Sequence, residues 1–183
     1  ALREELRESG VEVTTVSGLT PTPLTIALGK PETLGADRLA AAVGAWTQKK
    51  GKPLLVIDCG TCVTADYISA NGEYLGGNIS PGETLRLKAM HDYTALLPSC
   101  GIAENVPLVG TDTVGAMQAG ARLGLVYEIR GYVDDFLARN PEGHVFLSGG
   151  GLPELHIKEK KCFTIDKSLV FRGLNEILNE TTD

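Results

Sequence analysis

Apolar residues in this chain come in two rhythms, short dense runs and long spaced stripes, which predict strands and helices respectively. Leu54-Leu55-Val56-Ile57 is apolar throughout, the pattern of a strand buried on both faces. Val63 to Ser69 alternates loosely, Asn71-Gly72 is a strong hairpin signal, and Glu73 to Ile79 returns as a further strand, so the three predict a β-meander. Val11 to Val16, His144 to Leu147 and Cys162 to Ile165 read as separate strands, and Leu24 to Leu28 as a short extended piece. The stripes predict five helices. Residues 1–9 fit the end of an amphipathic helix closed by Gly10, and an alanine-rich helix with small residues suited to close packing runs from Gly35-Ala36-Asp37-Arg38 to about Lys49. A third follows the break at Gly76 to Gly82 and ends near Leu97, before Pro98. A fourth, N-capped by Thr111, carries an apolar stripe to about Arg139, and the last spans Leu169 to Leu178.

Composition narrows this to an α/β protein. There are 22 glycines against 4 phenylalanines and 1 tryptophan, a balance that suits a turn-rich α/β chain better than an aromatic-cored sandwich. With 183 residues and 43% hydrophobic content, the chain can bury the core of one domain or one and a half. A net charge of −6 leaves no basic footprint for nucleic acid. No apolar stretch approaches the roughly 20 residues that cross a bilayer, and the opening ALREELRES has no signal-peptide core, so no membrane association and a cytoplasmic location are expected. The sequence starts without methionine and in mid-helix, which points to a fragment. Cys59 and Cys62 form a Cys-x-x-Cys, but no second pair completes a zinc site and no helix opens there, so these and Cys100 and Cys162 are expected to be reduced thiols.

The chemistry concentrates in Ile57 to Asp66, IDCGTCVTAD. An apolar strand delivers Asp58 to its own end, Gly60 allows a tight turn and close approach of a ligand, and Thr61 and Thr64 offer hydroxyls to phosphate oxygens. The better-known phosphate loop ends in Lys-Ser/Thr and opens a helix; this one joins two strands, and an ordinary hairpin with an aspartate in its turn accounts for Asp-x-Gly-Thr equally well. Asp37 stands in a first helical turn, where the helix dipole alone favours it, although Arg38 is on the disfavoured side of that dipole. Thr113 can either cap its helix or face a ligand. Gly76-Gly77 permits close approach of a ligand or another strand, and Ser148-Gly149-Gly150-Gly151 after a strand makes a ledge for a flat ring or a phosphate, or else a plain turn.

Taken together, GADR at 35–38, IDCGTCVTAD at 57–66, GGNISPG at 76–82, GTDTVGAMQAG at 110–120 and SGGG at 148–151 resemble, in order and spacing, the motifs of type III pantothenate kinases. The resemblance covers nearly the whole chain. It implies the actin-like, sugar-kinase and Hsp70 ATPase superfamily, with two ribonuclease H-like α/β domains and ATP between them. Residues 1–52 would be the C-terminal part of the first domain and 53–183 a nearly complete second one. It further implies ATP-dependent phosphorylation of pantothenate, the first step toward coenzyme A, with a monovalent cation (K+ or NH4+) and Mg2+ as cofactors and a homodimer whose sites lie near the subunit interface.

By the same resemblance Asp37 would accept the hydroxyl proton. Gly35, Ala36, Arg38 and Thr113 would bind pantothenate, Asp58 would ligate the monovalent cation, and Gly60, Thr61, Thr64, Gly149 and Gly150 would lie along ATP. Two departures stand out. The family's opening strand and first phosphate loop, Asp-x-Gly-Asn-Ser/Thr, match nothing here, so a fragment is expected whose activity on its own is open. Cys62-Val63-Thr64 also replaces the usual Ala-Thr-Thr. Two other functions compete: a non-catalytic accessory transcription factor of the same family, which DNA retention would reveal, and another small-molecule kinase of the superfamily, which a substrate panel would separate.

Overall fold

The computed structural model describes residues 2–155 and 160–182. After a short helix α1 (Leu2–Glu8), closed by Gly10 in the left-handed region at φ 80°, the chain builds one mixed sheet. Its strands are β1 (Thr25–Ile26), β2 (Leu54–Cys59), β3 (Cys62–Ile68), β4 (Glu73–Pro81), β5 (His144–Ser148) and β6 (Phe163–Ile165), in the spatial order β1-β4-β3-β2-β5-β6. The meander β2-β3-β4 is antiparallel, whereas β5 and β6 continue the sheet parallel to β2 and β1 lies parallel to β4.

The period of two sorts the side chains of this sheet onto two faces, each covered by helices. Leu54 and Val56, with Ile68 and Phe146, meet α2 (Ala36–Gln48) and α5 (Leu169–Thr182). Leu55, Ile57 and Cys59, with Val63 and Val145, meet Leu125, Ile129, Val133 and Phe136 of α4 (Thr113–Arg139). On the first face α2 and α5 cross at near backbone contact. A Cβ on Gly173 would lie 1.7 Å from the carbonyl oxygen of Ala40, and one on Gly44 would lie 2.4 Å from that of Leu169. The small residues expected to allow close packing do so here. α4 is 27 residues long, about 40 Å at 1.5 Å per residue, and outruns the sheet. Its first turns pack Met117 and Ala121 on Leu87 of α3 (Glu83–Asp92), an attachment reinforced by Arg122 on Glu83 at 2.6 Å and by Arg86 on Glu128.

Several expected boundaries shift. Val11 to Val16 is not a strand: only Val13 and Val16 are half-buried, and no strand among the described residues pairs with it, so its β-branched residues have no neighbouring strand to pack against. α3 stops at Asp92 and not near Leu97, where the Thr94 hydroxyl donates to the Met90 carbonyl at 2.7 Å and turns the chain, leaving Tyr93 and Leu96 in solvent. β4 passes through Gly76-Gly77 to Pro81 by way of a bulge, with Gly76 at φ 114°. α4 is capped by Asp112, whose Oδ1 accepts from the Gly115 N–H at 2.8 Å, and not by Thr111. Ahead of the expected domain boundary, α2 shares one core with β2, β3, β5 and α5.

Candidate active site

One row of residues crosses the sheet where its core runs out. Asp58 on β2 pairs in register with Thr64 on β3 and with Ser148 on β5, so the three side chains share a face, one step beyond buried Val56 and Phe146. That face is the one covered by α2. Asp58 is half-buried, and burial is the main reason its carboxyl is held above its ordinary value. A hydrogen bond from Ser148 acts against the shift, while the charges of Asp37 and Asp66 add to it. Three carboxylates are therefore felt at one place.

α2 begins beside this row because Gly35 at its N-cap is extended (φ −61°, ψ 137°) and folds the chain into the helix. Asp37, exposed in the first turn, turns back so that Oδ1 accepts from the Arg38 N–H at 2.8 Å. Its Oδ1 would lie 2.6 Å from a Cβ on Gly35, so glycine there leaves the carboxylate room. Arg38 points the other way, into the sheet. Its Nε and Nη2 both donate to Oδ1 of Asp66, at 3.0 and 2.5 Å, and the Tyr74 hydroxyl donates to the same oxygen at 2.5 Å. Burial alone would lower the Arg38 pKa, but the hydrogen bonds and charge of Asp66 outweigh it and hold it raised. Tyr74 is pushed well up by burial and by the Asp66 carboxylate, so it stays a donor. The Gly76-Gly77 pair finds its use here: a Cβ on Gly77 would lie 2.5 Å from Asp66 Oδ1 and 2.9 Å from Arg38 Nη2. Asp66 and Tyr74 were given no role from sequence. Asp66 stands two residues after Thr64 and so on the same face, which was the available signal; Tyr74 offered none.

The turn after β2 is held from both sides. Gly82 at the start of α3 donates to the Thr61 carbonyl at 2.9 Å, and Gly151 donates to the Cys59 carbonyl at 2.8 Å. Gly149, at φ 93°, approaches so closely that a Cβ would sit 2.2 Å from the Cys59 oxygen. Gly60 and Thr61 are thus fixed yet exposed, and Gly150 is open on its Cβ side with nothing within 4 Å. Thr64 sits half-buried beside Asp58. Thr113 stands exposed at the N terminus of α4, whose later turns pack on the opposite face of the sheet. Cys59, Cys62 and Cys100 are free thiols, and burial pushes Cys59 up to about 12.

As a cation site, the Asp58 region supplies hard oxygen donors, a carboxylate and the Ser148 hydroxyl, within a surplus of negative charge. Such donors suit a hard cation. Among the described residues no three His, Cys, Asp or Glu side chains group to hold a transition metal, and no helix is long and apolar enough to cross a membrane.

Comparison with known proteins bears on what this arrangement serves. Residues 1–135 match the family model for type III pantothenate kinase. The type III pantothenate kinase of Bacteroides fragilis is 43% identical over 175 residues, which cover 96% of this chain and 72% of that protein. That of Phocaeicola vulgatus is 42% identical over 178 residues, 97% of this chain and 74% of the other. Among solved structures, a Campylobacter jejuni protein described as belonging to the Baf family of transcriptional activators superposes with TM-score 0.62 at 25% identity, covering 99% of this chain and 78% of its own. MreB5 of Spiroplasma citri, bound to AMPPNP, superposes with TM-score 0.51 at 14% identity over 99% of this chain and 63% of its own, a likeness of fold alone. The fold is that of the actin-type ATPases.

Proposed function

The chain belongs to the type III pantothenate kinase family, and on that premise we propose how its residues divide the work of moving a phosphoryl group from ATP to pantothenate. Phosphoryl transfer asks for positioning and charge neutralisation more than for covalent chemistry. Asp37 accepts the proton of the attacking hydroxyl. A carboxylate is a weak base, which suits a proton given up late, once the alcohol oxygen is bonding to phosphorus. Arg38 binds the carboxylate of pantothenate, beside the wall made by Gly35 and Ala36. Gly60, Thr61 and Thr64 meet the phosphates of ATP, and the Gly149-Gly150 ledge meets its adenine side. The observation that carries this reading is the position of Asp37 and Arg38, in the first turn of α2 on the same sheet face as the Asp58–Thr64–Ser148 row.

Asp58, with Ser148, holds the monovalent cation, which supplies positive charge against the phosphates; Mg2+ comes with ATP, carried largely by its phosphate oxygens. The protein is a cytoplasmic homodimer paired along α4. Thr113, exposed at the start of α4, reaches pantothenate from across the interface. Residues 1–52 are the end of the first of two ribonuclease H-like domains, and 53–183 the second.

The test is potassium-dependent phosphorylation of pantothenate by the protein at its native length, wild type against Asp37→Asn. A loss of about 10²- to 10⁴-fold in kcat is expected for a general base. Unchanged turnover would remove Asp37 from the chemistry.

A further inference from the structure

The carboxylate of Asp66 is used lopsidedly. Three donors, Arg38 Nε, Arg38 Nη2 and the Tyr74 hydroxyl, converge on Oδ1, while Oδ2 is buried with no hydrogen-bond partner. A pair built for stability alone would use both oxygens, in the bidentate fork that Arg and carboxylate adopt readily, because a buried oxygen left bare carries a desolvation cost. The geometry here instead engages one edge of the guanidinium, Nε and Nη2, and leaves Nη1 with no protein partner among the described residues. The whole group is deeply set, with the Arg38 side chain 16% exposed and Asp66 1%. Gly77 closes over the contact, leaving no room for the guanidinium to swing toward β4.

We propose that Asp66, itself clamped by Tyr74, is a positioning residue that locks the inner edge of Arg38 and so presents Nη1 to the carboxylate of pantothenate. This rests on the reading of Arg38 as the carboxylate-binding residue. An arginine has four rotatable side-chain bonds to freeze, and a buried anion that freezes them beforehand removes that cost from substrate binding. The tyrosine serves the same end: its hydroxyl fixes the carboxylate against rotation, so that the guanidinium follows a fixed reference. Asp66 touches neither substrate in this scheme and contributes through Arg38 alone.

Steady-state kinetics on Asp66→Asn, Tyr74→Phe, Arg38→Met and the double variants Asp66→Asn/Arg38→Met and Tyr74→Phe/Arg38→Met test this, with melting curves run on each at native length. Losing a hydrogen bond to a charged group predicts a rise of about ten- to a hundredfold in KM for pantothenate for Asp66→Asn, with kcat at saturation and KM for ATP close to wild type. Tyr74→Phe, the gentler change if Asp66→Asn fails to fold, predicts a smaller rise of the same kind, also absent in an Arg38→Met background. In the double variant the Asp66 penalty disappears, because its route runs through Arg38. Penalties that multiply, or an Asp66→Asn rise shared equally by KM for ATP, would overturn the positioning role while leaving Arg38 its own. An Arg38→Met variant with unchanged KM for pantothenate would overturn the reading of Arg38 and this inference with it.

Discussion

β2 sends alternate residues to two faces, and the two sequences it writes there differ in polarity at one position. Toward α4 it places Leu55, Ile57 and Cys59, all buried in an apolar cluster that continues through Val63 and Leu147. Toward α2 it places Leu54, Val56 and then Asp58, with Ser148 and Thr64 beside it. The first face is finished: helix α4 covers it and even the Cys59 thiol is pushed up to about 12, too reluctant to ionise to react. The second is left open where α2 begins, and the charge held there is one the fold pays to keep. Packing and function thus share a strand by taking opposite sides of it, which is how a rigid core can fix polar groups to within the tolerance that phosphoryl transfer needs.

The sharpest way to break this division is to put a carboxylate one residue earlier. Ile57→Asp would bury an unpaired charge against Leu125 and Ile129, with no donor nearby. A loss above about 4 kcal/mol is expected, enough to leave the chain largely unfolded. Denaturant or thermal unfolding followed by circular dichroism reads this directly. A folded, cooperative Ile57→Asp protein would show that the α4 face is not the closed core described here.

The faces were unequally legible before the structure. The meander, α2, α4 and β5 follow from periodicity, because burial on one side or both leaves a period of 2 or 3.6 in the residues themselves. The motif residues Asp37, Asp58, Thr61 and Gly149 could be singled out as residue types and placed on element ends, since a glycine or an aspartate at a strand end has few local uses. What could not be read was whatever depends on register. Arg38 and Asp66 are 28 positions apart, and only the packing of α2 across β3 brings them to 2.5 Å. Tyr74, in an ordinary strand alternation, gave no local sign that its hydroxyl is part of a charged network. Val11 to Val16 failed for the same reason in reverse: propensity without a partner strand makes no strand.

A milder change sharpens the comparison from the other side. Asp58→Asn removes the charge that burial disfavours, so it is expected to stabilise the fold near neutral pH while abolishing potassium stimulation of turnover. Because the folded state holds the Asp58 carboxyl above its ordinary value of 3.8, the native state binds the proton more readily than the unfolded chain. The contribution of Asp58 to stability is therefore full below that ordinary value and is lost as pH rises through the raised one. Melting temperatures of the two proteins should coincide in acid and diverge above it. The Asp58→Asn protein should then melt a few degrees higher, by about 2–4 °C for each kcal/mol of relief in a domain of this size. Curves that stay parallel from acid to neutral pH would show that Asp58 is not strained by burial.

The smallest expected effect lies in the thiols at the two ends of the same turn. Cys59 is buried and its thiol is pushed up to about 12, whereas Cys62, three residues on, is exposed at the start of β3. A thiol-reactive probe on the native protein near neutral pH should label Cys62 quickly and leave Cys59 untouched until the protein unfolds. Cys62→Ser should then remove one fast-reacting thiol with little change in stability, as a surface substitution of this kind typically shifts it by no more than about 0.5 kcal/mol. Cys59→Ser should leave the fast phase as it is, since the thiol it removes faces α4 and never meets solvent in the folded chain. Fast labelling of Cys59 would mean that the turn opens toward α4 as well as toward α2, and the separation of the closed face from the working one would fail at the strand that defines it.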